Sequence, residues 1–204
     1  MARVGILGGT FNPPHLGHLA LARHARAELG LARVLLMPTH TPPHKLPSAD
    51  PGCAHRLQMC RLLAQGCEGV AACGLEIERG GVSYTVDTLR QVSAGHPGVH
   101  LLYIVGADSA RTMPRWREPK ALFELADLAV GERSGAQRQE VLDALAPVRG
   151  SASISFLKAP LLEISSSCAR QAAAEGGPLE DLVGSRVADY IVEHHLYGAR
   201  SPGG

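Results

Sequence analysis

Two histidines with a glycine between them, His15 and His18, follow a glycine-rich turn near the start of the chain. On the first turn of a helix, residues three apart lie on the same face, so the two imidazoles would be neighbours. A helix N-terminus offers unpaired N–H donors and partial positive charge, both of which suit phosphate oxygens. Two imidazoles there would add donors for oxygens that gain charge during a reaction. The pattern therefore predicts polyphosphate chemistry at this helix.

The segment before these histidines is predicted to be a strand that ends in a glycine turn. Residues 4–7 are apolar, Gly8 and Gly9 follow, and residues 19–25 have the pattern of a helix. Glycines allow a sharp turn and a close approach to a ligand, and Gly17 would leave room for a flat base or ribose. Strand, glycine turn and helix in this order are typical of the first unit of a nucleotide-binding α/β fold. The alternative is a glycine turn followed by two surface histidines.

The bulk composition limits the class of protein. The 204 residues are 45% hydrophobic and carry a net charge of +1, which gives no case for binding nucleic acid or acidic membrane by bulk charge. No apolar run approaches the roughly 20 residues of a membrane span, and no signal peptide is evident. We therefore expect a cytoplasmic protein of one domain, residues 1–204, with neither nucleic acid nor membrane as partner. The sequence leaves the oligomeric state open, a homo-oligomer included.

The five cysteines are an odd number without short paired spacings, which argues against a disulfide framework. Cys53, Cys60 and Cys67 recur every seven residues and would lie along one helix face. A metal or redox role is one interpretation. Small buried apolar residues are the interpretation that we favour.

Strands and helices are predicted to alternate along the chain. The predicted strands are residues 4–7, 33–37, 70–73, 100–105, 128–130 and 154–157. The clearest helices are residues 19–30, 56–66, a helix capped by Ser83 or Thr85, residues 122–125, a helix from 164, and residues 187–195. Alternation of this kind predicts an α/β fold, a Rossmann-like doubly wound parallel sheet. Residues 151–204 are expected to be a C-terminal helical subregion packed on that sheet.

Four polar loops are predicted to meet at the carboxyl edge of the sheet, where open α/β sheets bind ligands. They are residues 8–18, 39–45, 106–116 and 165–170. In the last loop three consecutive serines begin a helix, and Arg170 adds a planar fork of donors, which predicts a grip for a triphosphate. The alternative there is an ordinary serine N-cap followed by a surface arginine, and Lys45 taken alone would be a solvated lysine.

Together these motifs resemble the bacterial nicotinate mononucleotide adenylyltransferases of the nucleotidyltransferase superfamily. The matching segments are GGTFNPPHLGHL at 8–19, PPHK at 42–45, SYTVDTL at 83–89, VGADS at 105–109, Trp116, ISSSCAR at 164–170 and HHLYG at 194–198. The H-x-G-H and I-S-S-S-x-x-R patterns specify only the superfamily, whereas the others specify the family. Asn12 stands where Asp is frequent, which argues against a metal-binding role for residue 12, and Ser167 replaces a frequent Thr but keeps the hydroxyl.

The resemblance implies transfer of AMP from ATP to nicotinate mononucleotide, giving deamido-NAD and pyrophosphate. The attacking phosphate is already anionic at neutral pH, so no general base is needed. Catalysis would come from positioning and charge neutralisation. Mg²⁺ would bridge phosphate oxygens and be held mainly by ATP and water, and no residue of the chain is assigned to the metal.

On the ATP side, the resemblance implies that His18 lies nearest the α-phosphate under attack. Arg170 would hold the distal phosphates together with the serines. The implied catalytic residues are His15, His18 and Arg170, and the implied ATP-binding residues are Gly8, Gly9, Thr10, Phe11, Gly17, Gly106, Asp108, Ile164, Ser165 and Ser166.

On the pyridine side, the resemblance implies that Trp116 stacks on the ring. N–H groups near Tyr84 and Thr85 would receive the nicotinate carboxylate at a helix N-terminus. Lys45, also counted with the nicotinate mononucleotide site, would reach a phosphate from the loop after the second strand, and Asp108 would face a ribose.

Other classes of protein share parts of the pattern. Pantetheine-phosphate adenylyltransferases have H-x-G-H and a serine-rich helix start, but residues 83–89 and Trp116 have no purpose there. A class I aminoacyl-tRNA synthetase would need a longer chain and a K-M-S-K-S-like loop. A zinc hydrolase or metal-binding module could use the four histidines of these loops, but no Glu base of the H-E-x-x-H kind is near; they are His15, His18, His40 and His44. A non-catalytic nucleotide sensor is the remaining alternative.

Overall fold

The structure is a computed structural model and describes residues 2–43, 49–132, 136–158 and 164–199. The strands are β1 (Arg3–Gly9), β2 (Arg33–Pro38), β3 (Val70–Ala72), β4 (His100–Gly106), β5 (Asp127–Gly131) and β6 (Ile154–Leu157). The α-helices are α1 (Leu16–Glu28), α2 (Cys53–Ala64), α3 (Leu75–Arg79), α4 (Thr85–Gly95), α5 (Ala107–Thr112), α6 (Pro119–Leu125), α7 (Ala136–Leu145), α8 (Ser166–Glu175), α9 (Glu180–Val183) and α10 (Ser185–Glu193). Short 3₁₀ helices cover Met113–Arg115 and Leu196–Gly198.

The six strands form one parallel sheet in the order β3-β2-β1-β4-β5-β6. From β1 the chain adds β2 and β3 on one side, then returns to add β4, β5 and β6 on the other. In open parallel sheets this reversal leaves a crevice at the carboxyl ends of the two strands where it occurs, here β1 and β4. The predicted doubly wound parallel sheet is therefore confirmed.

The core is divided between the two faces of the sheet. Along β4, Leu102 and Ile104 pack in one cluster with α1, α2, α8 and α10, whereas Leu101, Tyr103 and Val105 pack in a second cluster with α4, α5, α6 and α7. Successive side chains of a strand point to opposite faces, so each cluster belongs to one face. β4 is buried along residues 101–105, as expected of a parallel strand covered by helices on both sides.

The predicted strands are all present, with ends that differ by no more than two residues. The prediction omits α3, α5, α7 and α9. Three of them, α3, α5 and α9, have only five, six and four residues, too few to show a helical period. The predicted cap of α4 is wrong. Tyr84 is the N-cap, because the Ser83 hydroxyl accepts the His40 N–H and the Thr85 hydroxyl donates to the Tyr103 hydroxyl.

Two further expectations need correction. The helical subregion expected in residues 151–204 begins later, because β6 pairs with β5 and completes the sheet before α8 to α10 follow. The three cysteines do not share one helix face, since Cys67 lies beyond the end of α2. Cys60 is fully buried and the other two are half-buried. None of the helices in the described ranges has the length and apolar character needed to cross a membrane.

Candidate active site

A cavity of about 600 Å³ lies at the carboxyl edge of the sheet, between the ends of β1 and β4. Its volume is in the range of sites that hold small molecules and cofactors. Segments of all four predicted polar loops reach it. Its walls include Leu7, Gly8, Gly9, Thr10, His15, Gly17, His18, Leu21, Thr39, Pro42, Pro43, Ser83, Tyr84, Thr85, Tyr103, Val105, Gly106, Ser109, Arg115, Trp116, Arg117, Ile164, Ser165 and Ser166.

Most of the site residues predicted from sequence line this cavity; they are Gly8, Gly9, Thr10, His15, Gly17, His18, Tyr84, Thr85, Gly106, Trp116, Ile164, Ser165 and Ser166. Phe11, Asp108 and Arg170 do not line it. Phe11 is only 2% exposed and its ring centroid lies 4.8 Å from that of His18. The Asp108 side chain is largely exposed and forms a surface ion pair. Lys45 lies outside the described residues.

The glycine turn differs from the prediction in where the backbone turns. Gly8 and Gly9 are the last residues of β1, and the positive φ of 52° occurs at Phe11. Gly8 is required for a different reason, because a Cβ there would collide with the hydroxyl of Tyr103 on the neighbouring strand β4. The absence of a side chain at position 8 therefore serves the contact between two strands.

The two histidines are neighbours at the start of α1, as their spacing predicts, and their rings stack with planes inclined by 33°. His15 is the N-cap, His18 lies in the first turn, and their ring centroids are 3.7 Å apart. The His15 N–H donates to Nδ1 of His18 over 3.2 Å, so the proton of a neutral His18 is on Nε2. A Cβ on Gly17 would lie 3.0 Å from Nδ1 of His15. Gly17 thus makes room for the His15 ring rather than only for a ligand.

Both histidines are held in the neutral form. Burial lowers the pKa of His15 to about 4. Burial, and secondarily the charge of the adjacent His15, lowers the pKa of His18 well below its usual value. A bound anion would favour the protonated forms, so the pair can respond to phosphate by gaining a proton or by donating from Nε2 of His18.

The lowered pKa of His15 predicts a loss of stability in mild acid. Between the unfolded pKa near 6.5 and the folded pKa of about 4, the unfolded chain binds a proton that the folded chain does not. His15 alone should therefore lower the free energy of unfolding by about 1.4 kcal/mol for each unit that the pH falls in this window, in addition to any contribution from His18. Urea unfolding of wild type and His15→Asn at several pH values measures this slope, which should be shallower in the variant.

His96→Asn is the matched control, because His96 is exposed, and its slope should equal that of wild type. Equal slopes in wild type and His15→Asn would contradict the burial of a neutral imidazole at position 15.

Ser165 and Ser166, at the start of α8, face the cavity and also form hydrogen bonds within the protein. The Ser165 hydroxyl accepts the N–H of Cys168 over 3.1 Å, which makes it the N-cap. Its own hydrogen has no acceptor among the described residues and can donate to a ligand. The Ser166 hydroxyl donates to the carbonyl of Pro13 over 2.8 Å. The serine helix is therefore fastened to the loop that precedes the histidines.

Arg170 and Asn12 continue this connection. One Arg170 nitrogen donates to the Asn12 carbonyl over 2.7 Å and the other to the Ser167 hydroxyl over 3.0 Å. The side-chain oxygen of Asn12 accepts the hydroxyl of Tyr197 over 2.7 Å, and Asn12 is only 2% exposed. Residue 12 thus joins the C-terminal segment to the loop of the site.

The opposite end of the cavity is aromatic. The rings of Trp116 and Tyr103 meet edge to face with centroids 6.1 Å apart. The indole N–H donates to Thr112 over 3.0 Å, and Thr85 donates to the Tyr103 hydroxyl over 3.3 Å. Burial raises the pKa of Tyr103 to about 12, so its hydroxyl keeps its proton. These contacts fix a flat apolar wall beside the N-terminus of α4.

Sequence reasoning misses several residues of this site. Tyr103 lies within the apolar run that predicts β4, so the sequence does not mark it as a residue of the site. Arg115 and Arg117 flank the predicted Trp116, and the Arg117 guanidinium lies 4.6 Å from the Tyr84 ring centroid. A cation beside a predicted stacking residue is a signal that could have found them.

The structure describes three of the four histidines of the metal-site alternative, and it does not group these three as a metal site. His40 Nδ1 lies 3.0 Å from the Thr41 hydroxyl and 3.1 Å from the Gly81 carbonyl, away from the stacked pair. His44 falls outside the described ranges. Among the residues that the structure describes, no group of three or more His, Cys, Asp or Glu side chains is arranged to hold a metal ion.

The fold and the site define a nucleotidyltransferase-like α/β protein, and comparison with known proteins agrees. The family model described as cytidylyltransferase-like matches residues 6–172. Among curated proteins, a "Probable nicotinate-nucleotide adenylyltransferase" of Synechococcus sp. (strain JA-3-3Ab) is 40% identical over 96% of this chain and 94% of its own length. One of the same name from Symbiobacterium thermophilum is 39% identical over 97% of this chain and 96% of its own.

A solved structure of Plasmodium falciparum nicotinic acid mononucleotide adenylyltransferase complexed with NaAD has the same fold. It matches with a TM-score of 0.77 and 18% identity over 97% of this chain and 98% of its own. The chain belongs to the cytidylyltransferase-like family and, within it, to the nicotinate-nucleotide adenylyltransferases.

Proposed function

We propose that this protein transfers AMP from ATP to nicotinate mononucleotide, forming deamido-NAD and releasing pyrophosphate. The observation that carries the proposal is a single cavity with two different ends. One end holds the stacked histidines and the free hydroxyl of Ser165. The other holds Trp116 beside the N-terminus of α4. Phosphate groups suit the first end, and a pyridine ring with an acidic substituent suits the second.

The reaction that fits this cavity is one direct displacement. A phosphate oxygen of nicotinate mononucleotide attacks the α-phosphorus of ATP. The new P–O bond forms as the bond to the bridging oxygen of the β-phosphate breaks, and pyrophosphate leaves with the electron pair. The attacking oxygen is already anionic at neutral pH, so the protein's task is to align two anions and offset their charge.

His18 is the residue that we assign to the reacting phosphate. Its Nδ1 is occupied by the His15 N–H, so Nε2 is the atom that donates. Its position in a buried site makes such a donor stronger than it would be in water. Thr10 and the Ser165 hydroxyl, which line the same cavity, would bind other phosphate oxygens. Arg170 does not line the cavity and is bonded to the Asn12 carbonyl and the Ser167 hydroxyl, so it would meet only distal phosphates that extend beyond the cavity.

Mg²⁺ would enter with ATP as part of the substrate. None of the described residues that line the cavity is a carboxylate, and their polar groups are hydroxyls, imidazoles, guanidinium groups and backbone. The ligands of the ion would then be phosphate oxygens and water. When bound, the ion would neutralise charge on the phosphates.

Two assignments complete the proposal. Lys45 would reach a phosphate from the loop after β2, and Asp108 would approach a ribose from its exposed position beside the cavity. We also propose the cytoplasm as the compartment, which the five free cysteines support because thiols persist in reducing surroundings.

The proposed reaction predicts a preference for the acid over the amide. The N-terminus of α4 carries partial positive charge, and Arg117 lies on the same wall, its charge partly offset by Asp87 at 3.6 Å and Glu118 at 3.7 Å. A carboxylate satisfies both, whereas an amide turns an NH₂ group toward donors. We expect kcat/KM to favour nicotinate mononucleotide by at least about tenfold. Pyrophosphate release with ATP and each pyridine nucleotide measures the ratio.

Trp116→Ala should weaken both pyridine substrates alike, because stacking does not sense the carboxylate. Equal kcat/KM for acid and amide in the wild type would indicate a dual-substrate enzyme. Turnover with phosphopantetheine alone would replace the proposed function with that of a pantetheine-phosphate adenylyltransferase.

The role of His18 predicts a large loss of kcat when its donor is removed. His18→Ala should lower kcat by about 10²–10³, the scale for one preorganised donor, with a smaller change in KM. His18→Asn is the sharper variant, because it keeps an acceptor for the His15 N–H and lacks the donor at Nε2. Both variants should lose kcat alike in a steady-state assay.

His24→Ala is the control, since His24 lies on the same helix and pairs with Glu28 at the surface. A folded His18→Asn protein with nearly normal kcat would show that Nε2 does not act on the reacting phosphate.

A further inference from the structure

Arg56 is a fully buried cation that the proposed reaction does not use. It lies on α2 with 0% of its surface exposed, on the same apolar side as Cys60 and Leu63. A buried charge is unfavourable unless it is paired and hydrogen-bonded. The contacts of Arg56 therefore indicate which part of the structure depends on this buried charge.

The guanidinium group of Arg56 joins the loops that follow two strands. Nε donates to the Asp50 carboxylate over 3.0 Å, which balances the charge. Nη1 donates both to the Thr10 carbonyl after β1, over 2.9 Å, and to the Thr39 carbonyl after β2, over 2.6 Å. Nη2 donates to the His40 carbonyl over 2.8 Å. One planar group thus collects three backbone carbonyls at the base of the cavity.

By holding the carbonyl of each peptide, these hydrogen bonds also fix the direction of the N–H group in the same peptide. In a trans peptide the C=O and N–H groups point in opposite directions. On the β2 side, the N–H groups facing away from Arg56 belong to His40 and Thr41. They donate to the Ser83 hydroxyl over 2.9 Å and to the Gly81 carbonyl over 3.3 Å. The contacts of Arg56 therefore extend to the loop that leads into α4.

On the β1 side, the N–H facing away from Arg56 belongs to Phe11. No acceptor for it occurs within the described ranges. Phe11 also has a positive φ of 52°, a conformation that a residue with a side chain adopts only when its surroundings hold it. The Thr10 carbonyl bonded to Arg56 is one such restraint, beside the stacked imidazoles.

We propose that Arg56 is a positioning residue, which orients the Thr10–Phe11 and Thr39–His40 peptides so that the cavity between them accepts ATP. The inference rests on the proposed function for the identity of the nucleotide. A lysine could keep the charge but lacks the planar fork that reaches three carbonyls at once. Asp50 neutralises the charge of Arg56 but takes no part in the hydrogen bonds that Arg56 donates to the three carbonyls.

The test compares Arg56→Lys, Arg56→Gln and Asp50→Asn with Arg61→Lys, an exposed position on the same helix. Each protein is assayed below its own unfolding midpoint for kcat, for KM of both substrates, and for ATP affinity by calorimetry. Both Arg56 variants should lose tenfold or more in ATP affinity and in kcat/KM for ATP, the scale of a lost charge-assisted hydrogen bond. KM for nicotinate mononucleotide should rise less than KM for ATP, because Arg56 reaches the loop before α4 only through the N–H groups of His40 and Thr41.

Asp50→Asn should lower the unfolding midpoint but keep ATP affinity within about threefold, because the carbonyl contacts remain. Arg61→Lys should match the wild type throughout. Unchanged ATP affinity in the Arg56 variants would overturn the inference, as would an equal loss of ATP affinity in Asp50→Asn. Either result would mean that the Arg56–Asp50 ion pair serves stability alone. Calorimetry needs no turnover, so a failure of the proposed reaction would show separately, as wild type that binds ATP without releasing pyrophosphate.

Discussion

The contact between Gly8 on β1 and the hydroxyl of Tyr103 on β4 is the constraint on which the two-ended cavity depends. These strands are neighbours only because the chain reverses its direction of winding between them. β1 leads into the loop of Thr10 and the stacked histidines. The Tyr103 hydroxyl accepts from Thr85 at the start of α4, and its ring meets Trp116. A side chain at position 8 would collide with the side chain of Tyr103, whose contacts with Thr85 and Trp116 form the aromatic end.

The electrostatics of the site come from donors and neutral imidazoles rather than from carboxylates. Burial keeps His15 and His18 uncharged until an anion arrives, so the free protein does not pay for two adjacent buried cations. The fixed positive groups lie around them, with Arg117 on the cavity wall and Arg56 beneath the loops. In the proposed function such a site would recognise a polyphosphate by geometry, and its charge state would follow that of the ligand.

Local signals in the sequence predict much of this arrangement. Apolar runs locate the strands, and the spacing of His15 and His18 predicts the stacked pair that the structure contains. Other features depend on partners distant in the chain. The cap of α4 is mispredicted because the hydroxyls of Ser83 and Thr85 bond to other elements. Gly17 is required by the His15 ring, whose position is set only once α1 has formed.

Arg56 is the clearest residue that sequence reasoning leaves out. A charged residue on a helix is usually exposed, and its carbonyl partners after β1 and β2 have no sequence pattern. Its place on an apolar helix face with Cys60 is the one available signal. Residues that bind through backbone carbonyls are hard to predict, because any residue type can supply the acceptor.

Direct transfer of AMP is tested most directly by the stereochemical course at the α-phosphorus. ATP that carries sulfur at this phosphorus as a single diastereomer would be converted with nicotinate mononucleotide, and the configuration of the dinucleotide product determined. In the proposed reaction His15 and His18 serve as donors and positioning groups, so one in-line displacement should invert the configuration. Retention would require two displacements through a nucleotidylated side chain, and would contradict catalysis by positioning alone.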